Sequence, residues 1–328
     1  MSEKLMDKRM WALVAAIIIV TSALISVGVV TQHSDSAPAG KITVTDSLGR
    51  TFTFQHPVTR IVSLDPSATA ILYALGSYKY LVGGNEYDCY PPHETVPNVG
   101  NSYSVNYEEI LNLSPQVVLG YGSSMPTYGT YINNTLHIPF LLDNPENFSQ
   151  IEDLTTMLGI LTGAQSNATL INNWMLENLA GIQDQVSLQA NRGESVFYYL
   201  SACGGIWTSG NETFINQYFT ILDLKNIAKN PGYYTVSAEL IANESPDIIL
   251  LDQYVPYSDV TVAPFNETNA MTSSPQKVYT LFNDSFFNEP DFRIVYAIQW
   301  LAEQVYPGIQ LSISQFPINL QYPPWPSS

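Results

Sequence analysis

The sequence predicts an α/β protein built as two Rossmann-like lobes joined by a single long helix, with a cleft between the lobes and a transmembrane helix ahead of them. Three observations lead there. Short apolar strands alternate with helical segments in two separate series, the pattern of parallel sheets covered by helices. Between the two series lie about forty residues of helical spacing. A helix-turn-strand segment of the first series recurs in the second, where Glu108 to Pro115 in NYEEILNLSPQVVL matches Glu239 to Pro246 in VSAELIANESPDIIL. The chain of 328 residues also exceeds what one core holds, so lobes of about 100–150 residues each are expected.

Residues 1–10 carry Lys4, Lys8 and Arg9 against Glu3 and Asp7, and residues 11–31 carry no charge. A helix of that length, at about 1.5 Å per residue, crosses the ~30 Å hydrocarbon layer, and the flanking cations favour a cytoplasmic N-terminus. Residues 1–10 are therefore assigned to the cytoplasm, 11–31 to an anchor, and all that follows to the outside of the cell. A cleaved signal peptide is the other reading, but its apolar region usually runs about 7–15 residues, and the A-x-A at Ala37-Pro38-Ala39 lies beyond this one. No cysteine follows the apolar run to accept a lipid. Residues 32–40 form a flexible tether.

The first lobe spans residues 41–148. It opens with KITVTDSLGRTFTFQ, two alternating segments about Ser47-Leu48-Gly49 that predict a hairpin. Arg60 to Leu64 predicts a buried strand, and Ser67 to Leu75 a helix stopped by Gly76. Tyr80–Gly83, Gln116–Leu119 and Pro139–Leu142 predict further strands, with a short helix over Tyr107–Leu113. Residues 149–190 form the helical connector, interrupted near Gly159 and Gly163; Ser166 to Gln189 predicts one helix of about 35 Å. In the second lobe, residues 191–328, strands are predicted over Val196–Leu200, Asp247–Leu251 and Lys277–Leu281. Helices are predicted over Glu212–Leu224, Ala238–Asn243 and Phe292–Val305, ahead of a Pro-rich tail.

Composition removes several classes. With 21 Tyr, 13 Phe and 5 Trp the chain has ample apolar area for cores, unlike a disordered polypeptide. The net charge is −17, and no Lys or Arg occurs between Lys79 and Arg192, so no phosphate-neutralising stripe exists there and nucleic acid is not a partner. Sequons at Asn112, Asn133, Asn147, Asn167, Asn211, Asn243, Asn266 and Asn283 suit an exported, glycosylated surface. The scarcity of charge also suits an acidic exterior. Enzyme signatures are missing: there is no G-x-S-x-G elbow, H-E-x-x-H, Walker loop or C-x-x-C. Gly120-Tyr121-Gly122 starts like a dinucleotide fingerprint, but Met125 stands where the third glycine belongs. His33, His56, His93 and His137 are scattered, so neither a metal site nor a resident cofactor is expected.

Cys89 and Cys203, one per lobe, are read as free thiols or as an inter-lobe disulfide. More telling are aromatic residues in loops at strand ends. Tyr87 and Tyr90 flank Asp88-Cys89, Trp207 lies in CGGIWTSG, and Tyr233-Tyr234 follow Asn230-Pro231-Gly232. In α/β sheets ligands bind beyond the carboxyl ends of strands, and aromatics from both lobes suit a large, flat ligand clamped between them.

Taken in order, VTDSLGRTFTF, RIVSLDPSATAILYALG, YLVGGNEYDCYPP, NYEEILNLSPQVVLG, TSGNETFINQYF, VSAELIANESPDIILL and LAEQVYP resemble the class III solute-binding proteins of ABC importers, the iron-complex and cobalamin group, over about residues 43–310. The resemblance implies two lobes on one rigid helix, closing slightly over a metal chelate or corrinoid, without catalysis. It places Tyr87 against a corrin and makes Tyr90, Trp207, Tyr233 and Asp284 further ligand contacts. Ser102-Tyr103 stand where cobalamin binders have a tryptophan. It makes Glu108 and Glu239 the docking residues, one per lobe, for permease arginines.

Anionic iron catecholates and citrates require Arg or Lys in the cleft, and the ligand loops of the first lobe have neither. The expected function is that of a monomeric, membrane-anchored extracytoplasmic protein that delivers a corrinoid to an ABC permease. A ferric chelate of hydroxamate type is the alternative ligand, and a structural cell-surface glycoprotein the alternative role.

Overall fold

The structure, a computed structural model, describes residues 40–88, 90–92, 96–190, 192–322 and 324. The predicted anchor, and the tether up to residue 39, lie outside these. Among the described residues no helix is long and apolar enough to cross a membrane.

β1 (Ile42–Thr45) and β2 (Thr51–Phe54) pair antiparallel as the expected hairpin. Asp46 organises its turn, accepting from Leu48 N and Arg50 N while ion-paired with the Arg50 guanidinium. Ser47 then donates its N–H and hydroxyl to Leu142 O, which fastens the hairpin to the first sheet.

That sheet contains β3 (Ile61–Ser63), β4 (Leu81–Gly83), β7 (Val117–Tyr121) and β8 (Phe140–Asp143), all parallel, in the order β4-β3-β7-β8. Between β3 and β4 lies α1 (Pro66–Ala74), one residue longer at its start than predicted because Pro66 takes the first helical position and Asp65 caps it. A small hairpin, β5 (Gly100–Asn101) with β6 (Ser104–Val105), precedes α2 (Tyr107–Leu113), and α3 (Thr127–Asn134) covers the far side of β7 and β8. The hairpin and α3 were not predicted; β5 and β6 have two residues each, too few to show periodicity.

The connector is two helices: α4 (Phe148–Thr162) stays with the first lobe, and α5 (Gln165–Ser187) runs alone to the second. The break is at Gly163, in the left-handed region (φ 78°). Gly159 does not interrupt α4; a side chain there would meet Ala168 Cβ at 2.7 Å, so glycine serves the close packing of the two helices. In α5, Ala168, Ile171, Met175, Leu179, Ile182 and Val186 are buried at helical spacing, forming one apolar stripe. They join side chains of both lobes in a single core cluster, so the lobes share apolar packing and do not hang on a free hinge.

The second lobe repeats the first. β9 (Ser195–Tyr199), β11 (Lys225–Asn226), β13 (Ile248–Leu251) and β14 (Val278–Thr280) form a parallel sheet in the order β11-β9-β13-β14, the same crossover pattern. Outside it, β10 (Ile206–Ser209) and β12 (Tyr233–Val236) pair antiparallel. α6 (Phe214–Ile221) is shorter than the predicted 212–224 because Glu212 is left-handed (φ 62°) and Thr213 is the N-cap. α7 (Ala238–Glu244), α8 (Asn269–Thr272), α9 (Asp284–Asn288) and α10 (Ile294–Val305) complete the lobe. The Pro-rich tail returns along α5: Trp174 donates to Ser314 O (2.9 Å), and Tyr322 N donates to the Tyr73 hydroxyl (2.8 Å) of the first lobe.

Candidate functional site at the facing sheet edges

The C-terminal edges of the two parallel sheets face one another. Tyr121 ends β7 and Tyr233 begins β12; their exposures are 37 and 38%. Burial raises the pKa of both phenols, and Tyr121 is close enough to feel Tyr233 and Glu146. Two tyrosines a third accessible, yet desolvated and in mutual range, mark the walls of a cleft. Sequence reasoning treated Tyr121 only as part of a failed nucleotide motif; its position at the carboxyl end of a central strand was the available signal.

Trp207, 36% exposed, is held in β10 opposite Thr235, and its indole N–H donates to Cys203 O (2.9 Å). This bond closes the loop Ser201–Gly205 under the ring. Cys203 is exposed, and Cys89 lies outside the described residues. Tyr233 lies opposite Ser209, and Gly210 makes this possible: a side chain there would meet Asn230 O at 1.9 Å.

In the first lobe the loop after β4 is tied at both ends. Asn85 donates its amide to Leu64 O (3.0 Å) and accepts from Tyr87 N (2.9 Å); Glu86 accepts from Asn101 in the small hairpin. Tyr87 is thereby presented to solvent beside Tyr103, which is 93% exposed at the hairpin tip. Tyr90 behaves otherwise. The expectation that it faces a ligand is corrected: it is 6% exposed, packs edge-on to Tyr73 and Phe292, and donates its hydroxyl to Tyr322 O (2.8 Å). Arg293 lies over its ring at 5.0 Å while ion-paired with Glu289 and Asp291. Two residues separate it from Tyr87, and the loop turns its side chain into the seam between the lobes.

Asp284 opens α9 and exchanges hydrogen bonds with Gln253, accepting from its amide at 2.8 Å and donating its own N–H at 3.2 Å. Burial first, then Asp252, raises its pKa. Exposed Tyr254, which the sequence did not single out, follows Gln253 in the loop after β13, its N–H donating to Asp252. Glu108 and Glu239 lie away from these groups, exposed in α2 and α7, helices that run toward the N-terminal ends of β7 and β13.

Arg60, Lys79, Arg192, Lys225 and Lys277 lie at the N-terminal ends of the parallel strands, together with Glu194, Asp223 and Asp247, whereas Asp65, Asp143, Glu146, Asp252 and Asp284 follow or end the strands on the cleft side, joined there by exposed Lys229 after β11. Arg293 is fully buried and committed to its carboxylates. Among the described residues no three His, Cys, Asp or Glu side chains are grouped to hold a metal ion. A groove of about 670 Å³ lies under the β1–β2 turn against α4, lined in part by Leu48, Asp143, Glu146, Gln150 and Met157. Of the sequon asparagines, Asn167 and Asn211 donate their side-chain nitrogens to Leu75 O (3.0 Å) and Lys229 O (2.7 Å), so the atom that would carry a glycan is engaged.

Two pseudo-equivalent α/β lobes on one helix, with an aromatic and acidic cleft between facing sheet edges, define a two-lobed solute-binding protein. Residues 61–270 match the family described as periplasmic binding protein, and the chain belongs to that family, whose members bind solutes for transport and are not enzymes. The chain is 28% identical over 305 residues to the "uncharacterized ABC transporter substrate-binding lipoprotein YvrC" of Bacillus subtilis strain 168, covering 89% of this chain and 96% of that one. It is 26% identical over 277 residues to a "cobalamin-binding protein" of Halobacterium salinarum, covering 80% and 74%. A solved structure from Staphylococcus epidermidis, described as a possible iron-binding, periplasmic solute-binding protein, superposes with a TM-score of 0.67 at 25% identity, covering 76% and 99%.

Proposed function

We propose that the protein is the extracytoplasmic solute-binding component of an ABC importer, and that its ligand is a corrinoid held between the lobes by Tyr87, Tyr121, Trp207 and Tyr233, with Asp284 as a polar contact. The observation that carries this reading is the make-up of the loops after the strands: both cleft edges present aromatic rings and carboxylates with a single exposed cation, Lys229 after β11, while Arg60, Lys79, Arg192, Lys225 and Lys277 sit at the N-terminal ends of the strands. Such a cleft attracts neutral or cationic ligands and repels polyanions. Corrinoids, apolar in the plane and fringed by amide donors, fit; catecholate and citrate chelates, which need Arg or Lys, do not. The name of the Halobacterium relative supports the choice. A ferric hydroxamate, neutral or cationic, is the second reading, favoured by the description of the Staphylococcus structure. Glu108 and Glu239 would meet the permease, and the uncharged residues 11–31 would hold the chain at the membrane.

Isothermal titration of the protein with cyanocobalamin, a ferric hydroxamate and a ferric catecholate tests the proposal. One-to-one submicromolar binding of cyanocobalamin alone is expected. Heat with the hydroxamate only would keep the importer role and reject the corrinoid; binding of the catecholate would reject the charge argument.

A further inference from the structure

Asp65 and Asp143 are both buried, 2 and 5% exposed, at the carboxyl ends of β3 and β8. β7 lies between those strands, so the two side chains meet across its end, beneath Tyr121. Asp65 already accepts from Ser67 N (3.1 Å) and Ala68 N (3.0 Å) as the cap of α1. Asp143 Oδ1 is shielded from solvent and receives a hydrogen bond from no donor among the described residues. The group facing it across the end of β7 is the Asp65 carboxyl, near enough that each acts on the other's ionisation. Carboxylate oxygens are acceptors only, so that contact holds together only with a proton in it.

The surroundings supply no substitute. Asp46, which faces Asp143 from the β1–β2 turn, is committed to Arg50. Asp88 from the loop after β4 is itself a buried carboxyl raised to about 8, and Asp291 across the seam adds negative charge toward Asp65 but is committed to Arg293. Tyr121 and Tyr128, from β7 and α3, are phenols whose own ionisation the pair opposes.

We propose that Asp65 and Asp143 share one proton at neutral pH, and that this proton locks the floor of the cleft, the lock opening as the exterior turns alkaline. Burial, the largest cause, raises Asp65 to about 6 and Asp143 well above the ordinary carboxyl value, each with the other as neighbour. The pair titrates as a unit. In the unfolded chain both groups ionise near 3.8. Folded pKa values above unfolded ones mean that the stabilisation is complete below about pH 4 and is lost as pH rises through the folded values. Wherever the folded pair still holds a proton that the unfolded chain has lost, unfolding releases up to one proton from this site.

The test is thermal unfolding of the full chain between pH 4 and 9, comparing wild type with Asp143→Asn and Asp143→Ala. The Asn variant, whose amide donates to Asp65 without titrating, is expected to flatten the fall of Tm above pH 6 by the equivalent of about one proton. The Ala variant, which leaves Asp65 without a donor, is expected to melt lower at every pH. An Asn variant with the wild-type slope would overturn the proposal. If Asp143→Asn does not fold, Asp65→Asn, still a competent helix cap, serves as its reciprocal. Infrared spectra of the wild-type protein at pH 7 must show the carbonyl stretch of a protonated carboxyl group; its absence also overturns the proposal.

Discussion

Glu108 and Glu239 occupy the same place in two helices of the same build. Each is the second residue of a seven-residue helix whose N-cap side chain, Asn106 or Ser237, accepts from the backbone N–H three residues on, at 3.0 and 3.2 Å. Each helix ends on a left-handed serine, Ser114 (φ 47°) or Ser245 (φ 40°), and passes through a proline into a central strand of its sheet. Both carboxylates are exposed and outside the ion pairs of the described residues. Charge reversal at both, Glu108→Lys with Glu239→Lys, is expected to abolish ligand-dependent stimulation of the partner permease's ATPase. Ligand affinity should stay unchanged and stability should move by no more than about 0.5 kcal/mol, as for surface substitutions generally. Retained stimulation would remove both residues from docking.

Trp207→Ala and Tyr121→Ala should each weaken cyanocobalamin binding about 10- to 100-fold, the usual effect of losing a central aromatic anchor. Tyr90→Ala should act differently, because its ring fills the seam against Tyr73, Phe292 and Arg293. It is expected to lower stability by about 3 kcal/mol, as for other large-to-small core changes. Parallel titration calorimetry and chemical denaturation separate the two effects.

Gly210→Ala probes the scaffold under the aromatics. The added carbon would stand 1.9 Å from Asn230 O and 2.7 Å from the Tyr234 ring, so the loop before β12 must move away from β10. A loss of about 1–3 kcal/mol is expected from overpacking, together with weaker ligand binding, since Tyr233 moves with that loop. Unchanged affinity in a destabilised variant would show that Tyr233 does not contribute to the site.

Asp88 lies in the loop that presents Tyr87. Burial is the chief cause that brings its pKa to about 8, against 3.8 in the unfolded chain. Its protonated form is therefore favoured in the fold: its contribution is whole below about pH 4 and declines as pH rises to about 8. Asp88→Asn should leave stability nearly unchanged at pH 4 and raise it at pH 8. Denaturant titrations at the two pH values check this; an equal effect at both would mean that Asp88 is already ionised in the fold.

Much of this was legible in the chain itself. The apolar runs at Ile61–Ser63, Val117–Gly120 and Ile248–Leu251 are buried on both faces and read as strands without tertiary help. The paired Glu and Ser-Pro segments disclosed the two-lobe repeat because helix caps and turns are local chemistry. Pairs of residues that meet only after folding were not legible. Tyr87 and Tyr90 look alike in EYDCYPP, yet one is exposed and the other seals the seam, because which way a loop side chain turns depends on what the other lobe brings to it. The two-residue strands β5, β6 and β11 fell below any periodic signal.

By itself, then, the sequence determined the α/β class, the lobe order, the helical connector and an aromatic, cation-poor set of loops, since each follows from periodicity, caps and composition within about a dozen neighbouring residues. Only the tertiary structure decided that Tyr121 faces Tyr233, that Tyr90 is core, that Arg60, Lys79, Arg192, Lys225 and Lys277 share the edge away from the cleft, and that Asp65 meets Asp143. Each of these depends on parallel strands bringing together residues far apart in the chain, and in parallel sheets that register is set by packing on both faces rather than by any local turn.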